Sequence, residues 1–328
     1  MNCKYLIFMI LLIISSRVHT SPWPLANVNQ QHRNNGNFGE CRKGYKNGIL
    51  IGRHHMHDGL DIGADSGTAI YPVLTGTVYF TGPESITIKT IDGENTIYHG
   101  YVHIDRNMSL VEGNTVTASL TVLGTINENN HLHLRRGLKD NIVSDPIYYF
   151  DLSPYNDSEK PNFAFFDAIM VVNSLDTSQS ENFYYYDVGT IQAGDRVDIL
   201  VNVIDSVTTY GGNNNGVKWI CALITGPLSY EKYIVGYYFS DFSTGHYPDP
   251  RLVFAPGSTT GNNIYNITNF EESNSFWDTS NCPEGSYKIF IEVGDFHNQS
   301  GTSNYNCKSR YIYISASPSQ NKIGRNQK

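Results

Sequence analysis

Residues 76–104 read GTVYFTGPESITIKTIDGENTIYHGYVHI, and this stretch decides the fold class. Short runs rich in Ile, Val, Thr and Tyr alternate with polar residues, as in half-buried strands. The Asp-Gly of IDGEN lies between two such runs, which is a typical signal of a β-hairpin. No window longer than a few residues has the 3.6-residue period of a helix. The stretch therefore predicts consecutive β-strands.

The composition of the whole chain supports the same fold class. The 328 residues include 23 tyrosines, and charged residues make up only 16%, whereas Asn, Ser, Thr and Gly are plentiful. Aromatic residues of this kind favour sheet surfaces over helix bundles. The length favours two domains, so we expect an all-β protein with two β domains.

The strand-rich text falls into two blocks. The first lies in residues 21–150 and ends before DLSPYNDSEKP, residues 151–161, whose prolines and charges predict a linker. The second, residues 162–316, has roughly eight strand-like runs, which fits an immunoglobulin-like β-sandwich. The tail, residues 317–328, is mildly basic and predicted to be disordered.

The first twenty residues, MNCKYLIFMILLIISSRVHT, predict a secretory signal peptide cleaved after Thr20. An uncleaved amino-terminal anchor is the alternative, but the apolar run is short for a bilayer span. We expect a secreted, extracellular or periplasmic protein without stable membrane insertion. Removal of the signal leaves 21 basic against 31 acidic residues, a net charge of −10, which disfavours a nucleic-acid partner.

Four cysteines remain after the predicted cleavage: Cys41, Cys221, Cys282 and Cys307. In an exported protein an even number suggests disulfides, and three pairings are open. Cys282 with Cys307 is the most natural pair, because the two flank a hairpin-like stretch. The spacings fit no zinc ribbon.

Seven of the eleven histidines lie between positions 54 and 133, within the first block. In HLHL, His131 and His133 share one strand face about 6.5–7 Å apart, which suits one metal ligand and one histidine beside it. In HDGLD, His57 and Asp61 would be ~13 Å apart on a straight strand, so a loop curling at Gly59 is needed to bring them together. Two nitrogens and one carboxylate with an open fourth position are typical of a catalytic zinc site.

These motifs also resemble a known family. HDGLDIGADSGTAIYPVLTGTVYFTG, YVHI, EGNTVTASLTVLGTI, NHLHL and DPIYYF look like successive segments of the lysostaphin-like zinc endopeptidases, and NFGECR upstream resembles the start of that domain. The resemblance covers residues ~22–150. It implies a β domain of the barrel-sandwich, duplicated-hybrid-motif type and hydrolysis of peptide bonds in bacterial cell-wall cross-links.

Residue by residue, the resemblance implies that His57, Asp61 and His133 are ligands of Zn²⁺. It implies that His103 and His131 are the two catalytic histidines, one for proton transfer and one for transition-state stabilisation.

Three further histidines lie in or near these motifs: His54, His55 and His99. His99 is an alternative to His103, since positions 99, 101 and 103 would share one strand face. The spacing of ten residues in the sequence between His103 and Gly113 favours His103. His54 and His55 are expected to be solvated loop residues. The usual leucine after the YxH histidine is replaced here by Ile104, a mild departure.

The expected function is that of a secreted zinc metalloendopeptidase that hydrolyses peptidoglycan stem or cross-bridge peptides through a zinc-activated water. The carboxy-terminal sandwich is expected to bind a surface glycan or protein. The alternative is a non-catalytic wall-binding, regulatory or adhesion protein that keeps the peptidase fold.

Overall fold

The computed structural model describes residues 21–42, 45–46, 49–50, 55–138, 142–144, 146, 159–164, 169–173, 188–205, 216–238, 241–243, 253–255, 258–268, 276–295 and 304–316. Strands dominate these ranges, which confirms the prediction of an all-β fold. The predicted signal peptide, most of the predicted linker and the whole of the predicted tail lie outside the described residues. Among the described residues, no helix has the length and apolar character needed to cross a membrane.

The described part of the first block contains fifteen strands. They are β1 (Arg33–Gly36), β2 (Cys41–Arg42), β3 (Tyr45–Lys46), β4 (Ile49–Leu50), β5 (His55–Met56), β6 (Leu60–Gly63), β7 (Ala69–Ile70), β8 (Gly76–Gly82), β9 (Ser85–Asp92), β10 (Asn95–Val102), β11 (Ile104–Arg106), β12 (Thr115–Val116), β13 (Gly124–Ile126), β14 (His131–Leu138) and β15 (Ile142–Ser144). The main sheet has the order β1-β6-β14-β10-β9-β8-β12, and β11, β13 and β7 form a second, three-stranded sheet.

The stretch 76–104 forms the predicted consecutive antiparallel strands, β8, β9 and β10. Asp92 pairs with Asn95, so a two-residue turn closes the β9–β10 hairpin, and Gly93 there has a φ of 61°. In β9, Ile86, Ile88 and Thr90 are buried while the residues between them are less so, as the alternating pattern predicts. Ile86 and Ile88 join a core that also holds Trp23 and Tyr101.

Within the residues that the structure describes, the second block contains eleven strands. They are β16 (Asn162–Phe163), β17 (Ile169–Asn173), β18 (Thr190–Gln192), β19 (Arg196–Ile204), β20 (Trp219–Thr225), β21 (Glu231–Tyr238), β22 (Asp241–Ser243), β23 (Asn263–Asn266), β24 (Trp277–Asp278), β25 (Gly285–Gly294) and β26 (Tyr305–Ser315).

Ten of these eleven strands form two five-stranded sheets with a shared core. One sheet has β19 at its centre, paired with β16, β17, β23 and β24, and the other has the order β18-β26-β25-β20-β21. Alternate side chains of β19, β20 and β25 meet in one buried cluster, as expected where two sheets pack face to face. We call this unit the sandwich; its immunoglobulin-like topology and the boundaries of the two domains stay predictions.

The two blocks are joined by backbone pairing. The eleventh strand, β22, leaves the sandwich and pairs with β15, which itself pairs with β14 of the main sheet. The strand that carries His131 and His133 is thus one strand removed from a strand of the second block.

The predicted Cys282–Cys307 disulfide is wrong. Cys282 is a free, buried cysteine just before β25, and Cys307 is a free, exposed cysteine on β26. In the β25–β26 hairpin Cys307 pairs with Glu292, seven residues beyond Gly285. At ~3.3 Å per residue the two cysteines are ~20 Å or more apart, whereas a disulfide needs Cα atoms within about 7 Å. Cys41 and Cys221 are also outside any disulfide.

Candidate metal centre

Three side chains converge at one end of the main sheet. His57 Nε2 lies 3.1 Å from Asp61 Oδ1 and 3.0 Å from His133 Nδ1, and that Nδ1 lies 2.8 Å from the same carboxylate oxygen. Among the described residues, this is the one group of three or more His, Cys, Asp or Glu side chains whose ligand atoms lie within 4.8 Å of one another. The residues that the sequence predicts as metal ligands are therefore brought together.

The donor set fits a zinc ion. In a tetrahedral site with bonds of about 2.0–2.2 Å, neighbouring ligand atoms are about 3.3–3.5 Å apart. The three separations here are a few tenths of an ångström shorter, so a small outward movement of each side chain accommodates the ion. Two imidazole nitrogens and one carboxylate leave the fourth position open, which is the catalytic rather than the structural arrangement.

Strand pairing positions two of the three ligands. Asp61 in β6 and His133 in β14 are direct cross-strand partners in an antiparallel pair. Side chains of such a pair lie on the same face with Cβ atoms about 4.5–5.5 Å apart, close enough to share an ion. The sheet register alone therefore brings the carboxylate to the imidazole.

His57 lies outside the strands and is held by the segment Gly36–Arg42, which we call the lead-in segment. Gly39 N donates to His57 O and His57 N donates to Glu40 O, each at 2.8 Å. His57 Nδ1 lies 2.7 Å from Asn37 O. A carbonyl can only accept, so Nδ1 carries the proton and Nε2 is left with its lone pair for a metal.

Gly59 is needed for a reason other than the predicted curl. Its φ is not positive, so the turn itself does not demand glycine. A Cβ at this position would lie 2.6 Å from Leu134 O and 2.8 Å from His133 Cε1. The chain before β6 therefore passes directly against the His133 ring, and only glycine leaves room for it.

The outer atoms of Asp61 and His133 also have partners. Arg42 Nη2 donates to Asp61 Oδ2 at 3.0 Å, and the same nitrogen lies 3.1 Å from Glu40 Oε2. His133 Nε2 lies 3.1 Å from Asp58 Oδ1, and Arg135 pairs with the other oxygen of Asp58. Each ligand thus has one atom at the shared point and one held from behind, the support that metal-ligating side chains usually have.

The charge states suit a cation. Burial raises the pKa of Asp61, but His57, His133 and Arg42 outweigh it and hold this pKa well below its usual range. Burial lowers the pKa of His57, against the opposing charge of Asp61, and so favours the neutral ring. A carboxylate and a neutral imidazole are the forms that bind zinc.

His133 differs, because both of its ring nitrogens face carboxylates. Burial lowers its pKa, but hydrogen bonds to Asp58 and Asp61 outweigh burial and raise it. The partners His133 and Arg135 in turn overcome the burial of Asp58 and lower its pKa to about 2. A metal ion at the shared point therefore competes with the Nδ1 proton of His133, while the Nε2 proton stays directed at Asp58.

His103 and His131 lie beside the three ligands. Their ring centroids are 4.8 Å apart, and His103 is 6.2 Å from His133. His131 Nε2 lies 3.8 Å from Asp61 Oδ1. His103 directly follows β10 with a φ of 66°, an unusual conformation for a residue other than glycine. The two histidines predicted to be catalytic are therefore next to the candidate metal centre.

His99, the alternative to His103, lies elsewhere in the sheet. It is fully buried inside β10, paired with Ile88 and Arg136 on the neighbouring strands. Burial, with the Arg136 charge, lowers its pKa to about 3, so it stays neutral. The expected common face of positions 99, 101 and 103 fails because β10 ends at Val102. His55 is exposed, as expected, and His54 lies outside the described residues.

Sequence reasoning missed the residues behind the ligands: Asn37, Arg42 and Asp58. Asp58 could have been found, because it lies inside HDGLD and a carboxylate next to a ligating histidine is a frequent partner of another one. Asn37 and Arg42 gave no such signal, since their contacts with His57 and Asp61 depend on the tertiary fold.

No curated protein matches the chain. The catalytic domain of the antimicrobial peptidase lysostaphin from Staphylococcus simulans is similar at 19% identity, over 37% of this chain and 92% of that one, with a TM-score of 0.30. The whole of lysostaphin is similar at 14% identity, over 89% of this chain and 92% of that one, with a TM-score of 0.32.

A structure of Csd3 from Helicobacter pylori is similar at 19% identity with a TM-score of 0.30, over 40% of this chain. The match spans about a third, 35%, of the length of Csd3. The family described as Peptidase family M23 matches residues 55–144, the segment that holds all three candidate ligands and both neighbouring histidines. The match of residues 55–144 to this family confirms the predicted resemblance to the lysostaphin-like peptidases over that segment.

Proposed function

We propose that this protein is a zinc metalloendopeptidase that hydrolyses peptide bonds in peptidoglycan stem or cross-bridge peptides. The observation that carries the proposal is the convergence of His57, Asp61 and His133 within 3.1 Å of one another, with two further histidines beside them. A non-catalytic member of the family would not need all five side chains at one point. The resemblance to cell-wall endopeptidases supports the substrate class.

His57, Asp61 and His133 would hold zinc, which when bound would supply a Lewis acid able to polarise the scissile carbonyl and to acidify water. The ligands' own task is to hold that ion with one position open. Asn37, Arg42 and Asp58 fix which atom of each ligand faces it, so little reorganisation is required when substrate arrives.

The two histidines next to the centre receive different roles from one neighbour, Asn129. Its backbone oxygen lies 2.8 Å from His131 Nδ1, so Nδ1 carries the proton and Nε2, on the side of Asp61, is free to accept one. Its side-chain nitrogen lies 3.4 Å from His103 Nδ1, which favours the tautomer with the proton on Nε2. We assign proton transfer to His131 and hydrogen-bond donation to the developing oxyanion to His103.

The state of His103 supports this assignment. Burial, with the neighbouring His131 and His133, lowers its pKa, so the ring is neutral at neutral pH. A neutral ring with its proton on Nε2 is a hydrogen-bond donor that adds no positive charge beside a cation.

Export and surface binding belong to the same proposal. The predicted signal peptide supports action outside the cytoplasm, where peptidoglycan lies. On the sandwich, β26 exposes Tyr305, Tyr311 and Tyr313, and tyrosines of this kind can stack on sugar rings. We propose a surface glycan or protein as the partner of that domain.

The test is zinc content and release of new amino groups from purified peptidoglycan by the full-length chain. Asp61→Ala and His133→Ala are expected to abolish both, whereas His55→Ala, at an exposed histidine two residues before His57, is expected to change neither. Wild-type protein that binds no zinc, or ligand variants that still release amino groups, would overturn the proposal.

A further inference from the structure

The lead-in segment makes the contacts that fix two of the three ligands. Asn37 O accepts the Nδ1 proton of His57, and Arg42 donates to Asp61 Oδ2. Glu40, which is 3% exposed, in turn pairs with Arg42. These residues precede the segment that matches the peptidase family, so this part of the support of the centre comes from outside that match.

The apolar side chains of the lead-in segment do not pack into the core of the first block, the one that holds Trp23 and Tyr101. Phe38 and Cys41, together with Met56 from β5, belong to the buried cluster of the sandwich, whose members include Val217 and Tyr265. Cys41 pairs with Met56 across β2 and β5, so this small ladder is inserted into the sandwich core as a unit. Arg42 directly follows Cys41 in the chain, and His57 directly follows Met56.

Polar and close backbone contacts reinforce this attachment. Asn263, which is fully buried at the start of β23, accepts a hydrogen bond from Cys41 N at 3.2 Å. Gly216 has a φ of 72°, and a Cβ there would lie 3.2 Å from both Glu40 Cγ and Tyr265 Oη. The sandwich therefore contacts the lead-in segment at its backbone, its apolar side chains and its carboxylate.

We propose that the sandwich is a positioning part of the metal centre: through Asn263 and the pocket for Phe38 and Cys41, it holds the lead-in segment so that Asn37 and Arg42 orient His57 and Asp61. The inference rests on the proposed function of that centre. It predicts that a change in the second block, far along the chain from the ligands, weakens zinc binding.

The experiment measures the zinc dissociation constant of full-length protein by competition with a chelator. In Asn263→Ala the acceptor for Cys41 N is lost, and we expect zinc affinity to fall by about 10-fold, the lower end of the range for residues that support metal ligands. The matched control is Asn266→Ala, at a residue in the same strand that is also buried and whose side chain accepts from Thr268 within the sandwich. We expect the control to lose stability but to keep its zinc affinity.

Phe38→Ala tests the same attachment from the other side and leaves every side chain of the sandwich in place. It is expected to weaken zinc binding at least as much as Asn263→Ala and decides the matter if Asn263→Ala does not fold. A nitrogen-15 NMR readout of the His57 ring adds a structural check, because the Nδ1–H signal should shift in both variants and not in Asn266→Ala.

Wild-type protein without zinc affinity would contradict the proposed function. Wild-type protein that binds zinc, with folded Asn263→Ala and Phe38→Ala variants that bind it equally well, would contradict only the role of the sandwich.

Discussion

The two sides of the metal centre are built differently. Asp61 and His133 are neighbours in the antiparallel pair of β6 and β14, so the ladder that makes the sheet also makes half of the site. His57 belongs to no strand and takes its position from the lead-in segment, which packs on the sandwich. The comparison teaches that one half of the centre depends on local register and the other on contacts between the two blocks.

The largest expected effect comes from crowding the strand-borne half. Gly59→Ala places a methyl group 2.6 Å from Leu134 O and within 3 Å of the His133 ring, so His133 must move. We expect loss of measurable zinc binding and of activity. Calorimetric zinc titration of the folded variant measures the change.

Gly100→Ala is the control for that variant, because its Cβ would meet Arg135 at an ordinary 3.5 Å in the neighbouring strand. If Gly59→Ala bound zinc as tightly as Gly100→Ala, the close approach to His133 would not matter.

The next effect tests the support behind His133. Asp58→Asn keeps the size of the side chain but removes the carboxylate that accepts the Nε2 proton. We expect zinc affinity to fall by about 10- to 100-fold. Without the Asp58 carboxylate the pKa of His133 should fall, so its Nδ1 proton should be released at lower pH. The pH at which the zinc affinity of the variant reaches half of its own plateau value should therefore fall.

Chelator competition between pH 5 and 8 measures both quantities for Asp58→Asn. Asp65→Asn, an exposed carboxylate beyond β6, serves as its control. An unchanged affinity with an unchanged pH midpoint would remove Asp58 from the support of His133.

A smaller effect separates the histidines from the metal. Asn129→Ala retains the backbone oxygen that faces His131 but loses the amide near His103. We expect kcat to fall by about 10-fold, because His103 is no longer held in the donating tautomer, while zinc affinity stays unchanged. Steady-state kinetics and a zinc titration measure the two quantities separately. A fall in zinc affinity, or an unchanged kcat, would contradict the role assigned to His103.

The smallest effect concerns the lead-in segment and is a dependence of stability on pH. Burial raises the pKa of Glu40 from 4.5 to about 8, although Arg42 opposes the shift. Since the folded pKa lies above the unfolded one, the contribution of Glu40 to stability is complete below about pH 4.5 and is lost as pH rises towards 8. Glu40→Gln should therefore lose less stability than the wild type across this window.

Urea denaturation at pH 5 and pH 8 measures that difference. If the free energy of unfolding changed equally between pH 5 and pH 8 in the wild type and in Glu40→Gln, Glu40 would ionise in the folded protein as easily as in the unfolded one.

The fold and the convergence of His57, Asp61 and His133 could be predicted because their signals are local. Alternation in residues 85–102 specifies strands, Gly93 specifies the turn, and a histidine two residues from another specifies one face of β14. The residues behind the ligands could not be predicted, because the pairing of Arg42 with Asp61 depends on how the lead-in segment packs on the sandwich.

The wrong disulfide and the incomplete account of Gly59 both have geometric causes. The Cys282–Cys307 pair assumed that residues flanking a hairpin are near one another, but the register of β25 and β26 separates them. Gly59 was the correct residue, but the predicted reason for it was incomplete: glycine is needed there because the chain packs closely against His133. Both depend on which residues face one another across strands, and spacing along the chain does not supply that information.

The most direct test of the central claim is X-ray absorption at the zinc edge on full-length protein loaded with one equivalent of zinc. We predict two imidazole nitrogens and one carboxylate oxygen at about 2.0–2.2 Å, and loss of this signal in His133→Ala. A sulfur shell at about 2.3 Å, from the thiols of Cys41, Cys221, Cys282 or Cys307, would contradict the account.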